Sequence, residues 1–68
     1  MNMVDLVSKI IEFENGEMSD KDTVEFFAEL IKTGQCWSLQ GIYGRTAKGL
    51  IDAKIISSTG KILKQVGN

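Results

Sequence analysis

Histidine and proline are absent from this 68-residue chain, and Cys36 is its single cysteine. Without histidine, the most common general base near neutral pH is missing. One cysteine can form neither an intramolecular disulfide nor, without histidine, a Cys/His zinc site. The sequence neighbours of Cys36 are Gln35 and Trp37, neither of which activates a thiol, so we expect a buried structural thiol. The composition therefore predicts a protein without catalysis, metal or cofactor.

Long hydrophobic runs are also missing, since no uninterrupted apolar stretch exceeds three residues and the N-terminal residues carry no basic leader. These absences predict that the protein is neither exported nor inserted into a membrane. A lone cysteine is typical of the reducing cytosol, so we expect a cytoplasmic protein. About 43% apolar and 25% charged residues is ordinary globular composition, and the length predicts one small domain over residues 1–68.

So short a chain buries only roughly 60% of the surface that its unfolded form exposes. Small scaffolds compensate with disulfides, a metal, regular helix packing or oligomerisation. Because the first two are excluded by composition, we expect well-packed helices, a homodimer, or both.

The net charge of −1 conceals two halves of opposite sign. Residues 1–40 carry eight acids against three lysines, a net charge of −5. Residues 41–68 carry five cations against Asp52 alone, a net charge of +4. These halves could be two differently charged solvated faces, they could attract each other within the fold or between two copies, or the basic half could meet an acidic partner.

Hydrophobic spacing predicts three helices, near residues 4–14, 20–32 and 45–54. Asn15-Gly16 should end the first helix, Ser19 should cap the second and Gly34 should end it. Gly41 and Gly44 predict a tight bend before the third helix, whose cap would be Thr46 or Gly44. Gly49 inside that helix suggests close approach of another helix. The expected core comprises Val7, Ile10, Ile11, Val24, Phe27, Ile31, Leu39, Ala47, Leu50 and Ile51.

The C-terminal segment 55–68 reads as two short β runs around Ser57-Ser58-Thr59-Gly60. An isolated hairpin is marginal in water, so it would have to pack on the helices or on another copy. The fold class expected is mainly α: a small three-helix domain, with this short C-terminal β-hairpin as an optional addition.

Trp37, Tyr43 and Arg45 cluster around the glycine-rich segment. These residue types are enriched at binding hot spots because they combine large rigid area with a polar group. The alternative is structural: the two aromatic rings would close a small core and Arg45 would shield them. We take Trp37, Tyr43, Arg45 and Lys48 as the candidate binding residues.

Nucleic-acid binding is the second function class that the sequence suggests. Helices two and three could form a loose helix-turn-helix, with Arg45 and Lys48 at the start of the recognition helix and the tail hairpin as a wing. The long connection, the acidic pI of about 5.2 and the few polar side chains on that helix disfavour this interpretation.

The stretch from Trp37 to Ile55, W-S-L-Q-G-I-Y-G-R-T-A-K-G-L-I-D-A-K-I, resembles a group of short uncharacterised bacteriophage proteins. The shared pattern comprises E-x-G-E-[LM], L-I-x-T-G and L-Q-G-x-Y-G-R-T-A, carried here by Glu14, Gly16, Glu17, Thr33, Gly34, Trp37, Leu39, Gln40, Gly41, Tyr43, Gly44, Arg45, Thr46, Ala47, Leu50 and Ile51. The likeness covers about residues 10–56, and Lys54 stands where the pattern has glycine. The resemblance implies a phage accessory protein, and by analogy one that binds a host protein. It implies no catalytic residue.

Overall fold

The computed structural model describes residues 3–64, with side chains from residue 6 onwards. Helix α1 spans Met3–Glu14, α2 spans Asp20–Thr33 and α3 spans Gly41–Asp52, with a 3₁₀ turn at Gln35–Trp37 between α2 and α3. The protein is therefore mainly helical with three helices, as the hydrophobic spacing predicts. No helix in the described part of the chain has the length and apolar character needed to cross a bilayer.

The ends of α1 and α2 follow the capping residues. Gly16 has φ 73° after α1 and Gly34 has φ 81° after α2, the left-handed conformation that glycine adopts without a Cβ clash. At the start of α2, the Ser19 Oγ accepts a hydrogen bond of 3.1 Å from the backbone N–H of Asp22. The predicted stops and the predicted cap are confirmed.

The beginning of α3 differs from the prediction. The helix starts at Gly41, with Gln40 as the N-cap residue, so Gly41 and Gly44 lie inside it and Thr46 caps nothing. The physical reason is burial: Tyr43 is 2% exposed and falls four residues before the buried Ala47, in one helical stripe. Packing of that stripe offsets the roughly 1 kcal/mol that each helical glycine costs.

Helix α2 is the centre of the core. Six of its residues are buried: Val24, Phe26, Phe27, Ala28, Leu30 and Ile31. Its broad apolar arc is thus all core, with no stripe left for a partner. Four rings pack where α1, α2 and α3 meet, with Phe13 centred 5.2 Å from Phe27 and 5.4 Å from Tyr43.

On α1 the buried edge of the apolar stripe is the opposite one from that expected. Leu6 is buried and Ile10 and Phe13 pack against the core, whereas Val7 and Ile11 are about half exposed, at 49% and 54%. The predicted core positions of Val7 and Ile11 are therefore wrong. The apolar stripe of α1 is wider than the surface that contacts the other helices. The side of the stripe that carries Phe13 packs on α2 and α3, because the Phe13 ring contacts Phe27 and Tyr43.

The tail forms one antiparallel bridge, between Ile56 and Ile62, instead of two named strands. Ile56 is fully buried, and the turn after it lies against α2. Gly60 has φ 93°, and a Cβ built on it would lie 2.7 Å from the Ala28 carbonyl oxygen, so only glycine fits there. The packing of this turn on α2 supplies the support that an isolated hairpin lacks. Residues 65–68 of the predicted β segment lie outside the described residues.

Candidate functional site

The four candidate residues separate into two groups. Trp37, Arg45 and Lys48 are exposed, whereas Tyr43 is 2% exposed and belongs to the core. The structural alternative therefore applies to Tyr43, and it does not apply to Trp37, which is 56% exposed.

Tyr43 connects two helices through its hydroxyl group. The hydroxyl donates a 2.7 Å hydrogen bond to Oε2 of Glu14, the last residue of α1. Burial is the largest effect on the pKa of Tyr43, and the hydrogen bond to Glu14 and the negative charge of Glu14 act in the same direction. Together they raise the pKa of Tyr43 to about 12. Each of these effects disfavours the phenolate. Tyr43 thus positions α3 against α1, and it is unavailable to a partner.

Trp37 ends the 3₁₀ turn and lies against the side of α3. A Cβ built on Gly44 would be 3.6 Å from Cε3 of the Trp37 ring. Because Gly44 has no side chain, the indole lies close beside the helix, with more than half of the Trp37 surface open to solvent. A large, partly supported aromatic surface of this kind is typical of binding surfaces.

The side of α3 opposite its buried stripe is exposed. We call this surface the α3 outer face and define it by Gly41, Arg45, Lys48, Gly49 and Asp52. The Arg45 guanidinium folds back over the first turn, where its Nη1 would be 3.2 Å from a Cβ on Gly41. A Cβ on Gly49 would meet nothing within 4 Å, so the predicted close helix approach at Gly49 does not occur among the described residues.

Two residues at the edges of the α3 outer face escaped the sequence analysis. Ile42 is 48% exposed, and Lys64 Nζ lies 3.4 Å from the carbonyl oxygen of Ala53, just past the end of α3. The sequence holds a signal for Ile42 in the helical spacing of Tyr43 and Ala47. When the helix is extended back to Gly41 on that spacing, Ile42 falls beside the outer face. No local pattern in the sequence places Lys64 there.

The remaining groups of chemical interest are the thiol of Cys36, a groove and the metal-binding side chains. Cys36 is 1% exposed, and burial raises the pKa of its thiol. A groove of about 180 Å³ between α1 and α2 is lined by Lys9, Asp22, Glu25, Phe26 and Glu29. Within residues 3–64, no set of three or more metal-binding side chains has an arrangement that could hold an ion.

Comparison with protein families gives one finding about relationship. The model of a family described as a domain of unknown function, DUF7417, matches residues 1–68. The chain belongs to the DUF7417 family. Comparison with curated proteins and with solved structures gave no match. The match extends over the full length given, and it assigns no activity to the α3 outer face.

Proposed function

We propose that this chain is a small phage-type accessory protein that acts in the host cytoplasm by binding a protein partner, without catalysis. The binding surface is the α3 outer face together with Trp37. The observation that carries the proposal is the position of the single tryptophan. In a chain with only five aromatic residues, four rings build the core and the largest is left outside it.

The energetic argument concerns what a partner would gain. Covering the exposed half of an indole removes a large apolar area from water at little cost in side-chain entropy. Arg45 and Lys48 lie on the neighbouring helix surface and add directional charged donors. Tryptophan and arginine together are the residue types most enriched among hot spots.

Nucleic-acid binding is the alternative, and the charges of α2 disfavour it. In a helix-turn-helix, the first helix crosses the phosphate backbone while the second enters the major groove. Here the solvent side of α2 carries Asp20, Asp22, Glu25 and Glu29, which would face phosphates. The α3 outer face offers only Arg45 and Lys48 as long polar side chains for base contacts.

Affinity capture from a lysate of the bacterial host, with and without nuclease, tests the proposal. We expect the tagged chain to retain the same protein partner after nuclease treatment, and the Trp37→Ala chain to lose it. Lys32→Ala, on the exposed side of α2, is the matched control and should retain the partner. Capture that disappears with nuclease would support the nucleic-acid alternative. Equal capture by Trp37→Ala and the parent chain would remove Trp37 from the binding surface.

A further inference from the structure

The shape of the α3 outer face limits what can lie on it. Along a 12-residue helix of roughly 17 Å, Gly41 and Gly49 present no side chain. A Cβ built on Gly49 would meet nothing within 4 Å, whereas the Arg45 guanidinium already lies over Gly41. A partner's backbone can therefore approach α3 more closely at Gly49 than at an ordinary helical residue.

The charge of the face is positive along most of its length. Arg45 and Lys48 lie in its middle turns, and the Lys64 ammonium group reaches its C-terminal end. Asp52 is the one acid in α3. The face therefore complements an acidic surface, and the attraction should be strongest around its middle turns.

Both edges of the face are apolar, since Trp37 lies along one and Ile42 along the other. A phosphate backbone would leave these apolar groups uncovered. An amphipathic helix would cover them, because apolar residues spaced three and four apart can flank a row of carboxylates. The gap at Gly49 also suits the close axial distance of packed helices.

A second copy of the chain fits this face less well. The six apolar residues that its acidic helix α2 could offer to Trp37 are already buried in its own core. Its α1 exposes Val7 and Ile11, but Glu12 and Glu14 are the only acids among the described side chains of α1, and Glu14 already accepts the hydrogen bond from Tyr43. Docked through α2, another copy would supply carboxylates without the apolar side chains that the edges require.

Resting on the proposed function, we propose that the partner inserts an acidic amphipathic helix along the α3 outer face. Its Asp and Glu residues pair with Arg45 and Lys48, and its apolar residues cover Trp37 and Ile42. Bidentate contacts from the Arg45 guanidinium to a carboxylate fix the register of the two helices.

Site-specific photo-cross-linking identifies what lies on the face. p-Benzoylphenylalanine replaces Ile42, an exposed apolar residue at the edge of the face, and the matched control carries it at Ser58 in the exposed tail turn. In cells of the phage's host, we expect position 42 to capture a segment with net negative charge and helically spaced apolar residues. Position 58 should not capture that segment.

The alternative products are distinguishable. A basic or uncharged protein segment at position 42 would overturn the acidic-helix inference and leave a protein-binding function standing. Cross-linking to a second copy or to nucleic acid, or no product at all, would overturn both the inference and the proposed use of this face.

A synthetic peptide of the captured segment then tests the charge pairing by titration calorimetry. R45E/K48E should weaken binding at least tenfold, whereas K21E/K32E, with the same change in net charge on α2, should change it less than twofold. A peptide whose acids are replaced by lysine should bind the R45E/K48E protein more tightly than it binds the parent chain. Equal weakening by the two double variants would contradict specific pairing and indicate attraction by net charge alone.

Discussion

At the scale of single residues, the Tyr43 hydroxyl shows how one polar group can order this small core. Its ring packs among the phenylalanines, and its hydrogen bond to Glu14 satisfies the only polar atom that the side chain carries. Because Glu14 is exposed, its carboxylate regains water if the phenol is removed. Removing the Tyr43 hydroxyl therefore costs the free energy of one hydrogen bond to a charged acceptor.

We therefore expect Tyr43→Phe to lower the free energy of unfolding by about 1–2 kcal/mol at neutral pH. Urea unfolding followed by circular dichroism measures the effect, and Glu17→Gln, at an exposed position outside the helices, is the control. A Tyr43→Phe protein as stable as its parent would show that the hydrogen bond contributes nothing.

Alkaline titration tests the environment of the same group. The pKa of Tyr43 is about 12 in the fold against 10.0 for a free phenol, so the folded state retains the proton longer than the unfolded state. This contribution to stability is fully present below pH 10 and is lost as the pH rises through 12, with a total of about 2–3 kcal/mol. Tyr43 is the only tyrosine, so tyrosinate absorbance reports it alone. A midpoint near 10 in the folded protein would contradict the buried hydrogen bond.

At the scale of elements, the end of α3 is strained at one position. The backbone N–H groups of Lys54 and Ile55 donate to the carbonyls of Ile51 and Leu50, which is the Schellman arrangement. The left-handed residue of this motif is Lys54, with φ 60°, where α1 and α2 use glycine. A side chain in that conformation costs roughly 1–2 kcal/mol.

Lys54→Gly should accordingly stabilise the protein by about 0.5–1 kcal/mol, since relief of the strain exceeds the added entropy of an unfolded glycine. Ala53→Gly is the matched control: Ala53 has φ −78°, so glycine brings only its entropic cost and should destabilise. Thermal and urea unfolding of the two variants give the comparison. A destabilised Lys54→Gly chain would mean that the lysine side chain makes contacts worth more than the strain.

The elements that sequence could predict are those with local signals. Ser19, Gly16 and Gly34 determine helix ends through their own hydrogen bonds and torsions, and all three predictions hold. The start of α3 was missed because glycine signals a bend locally, while the burial of Tyr43 is a tertiary effect. Likewise, nothing in α1 itself decides whether Leu6 or Val7 faces the core, since that depends on rings contributed by α2 and α3.

At the scale of the whole molecule, the sequence predicts the charge of the candidate site but only some of its residues. The basic C-terminal half anticipates the cations near α3, and Arg45 and Lys48 are exposed. The sequence could not separate Trp37 from Tyr43, because both are aromatic residues near glycines. The exposed position of Trp37 depends on Gly44, whose lack of a side chain leaves room for the indole beside α3. The buried position of Tyr43 depends on the carboxylate of Glu14, which accepts a hydrogen bond from the phenol.

Self-association is a separate expectation for the whole molecule. The small core and the half-exposed pair Val7 and Ile11, one turn apart on α1, lead us to expect a homodimer. Equilibrium sedimentation at micromolar concentration should give a mass above that of the monomer, and Ile11→Lys should reduce it while the neighbouring Ser8→Lys does not. Monomeric mass across a tenfold dilution series would contradict the dimer.

The most direct test of the binding account is the affinity of substituted chains for the captured partner. Arg45 is exposed, so Arg45→Ala should fold normally, as circular dichroism can verify. We predict that Arg45→Ala and Trp37→Ala each raise the dissociation constant by about fivefold or more, corresponding to roughly 1 kcal/mol, while Lys32→Ala leaves it unchanged. Folded Arg45→Ala and Trp37→Ala proteins that bind the partner with the affinity of the parent chain would contradict the assignment of function to the α3 outer face.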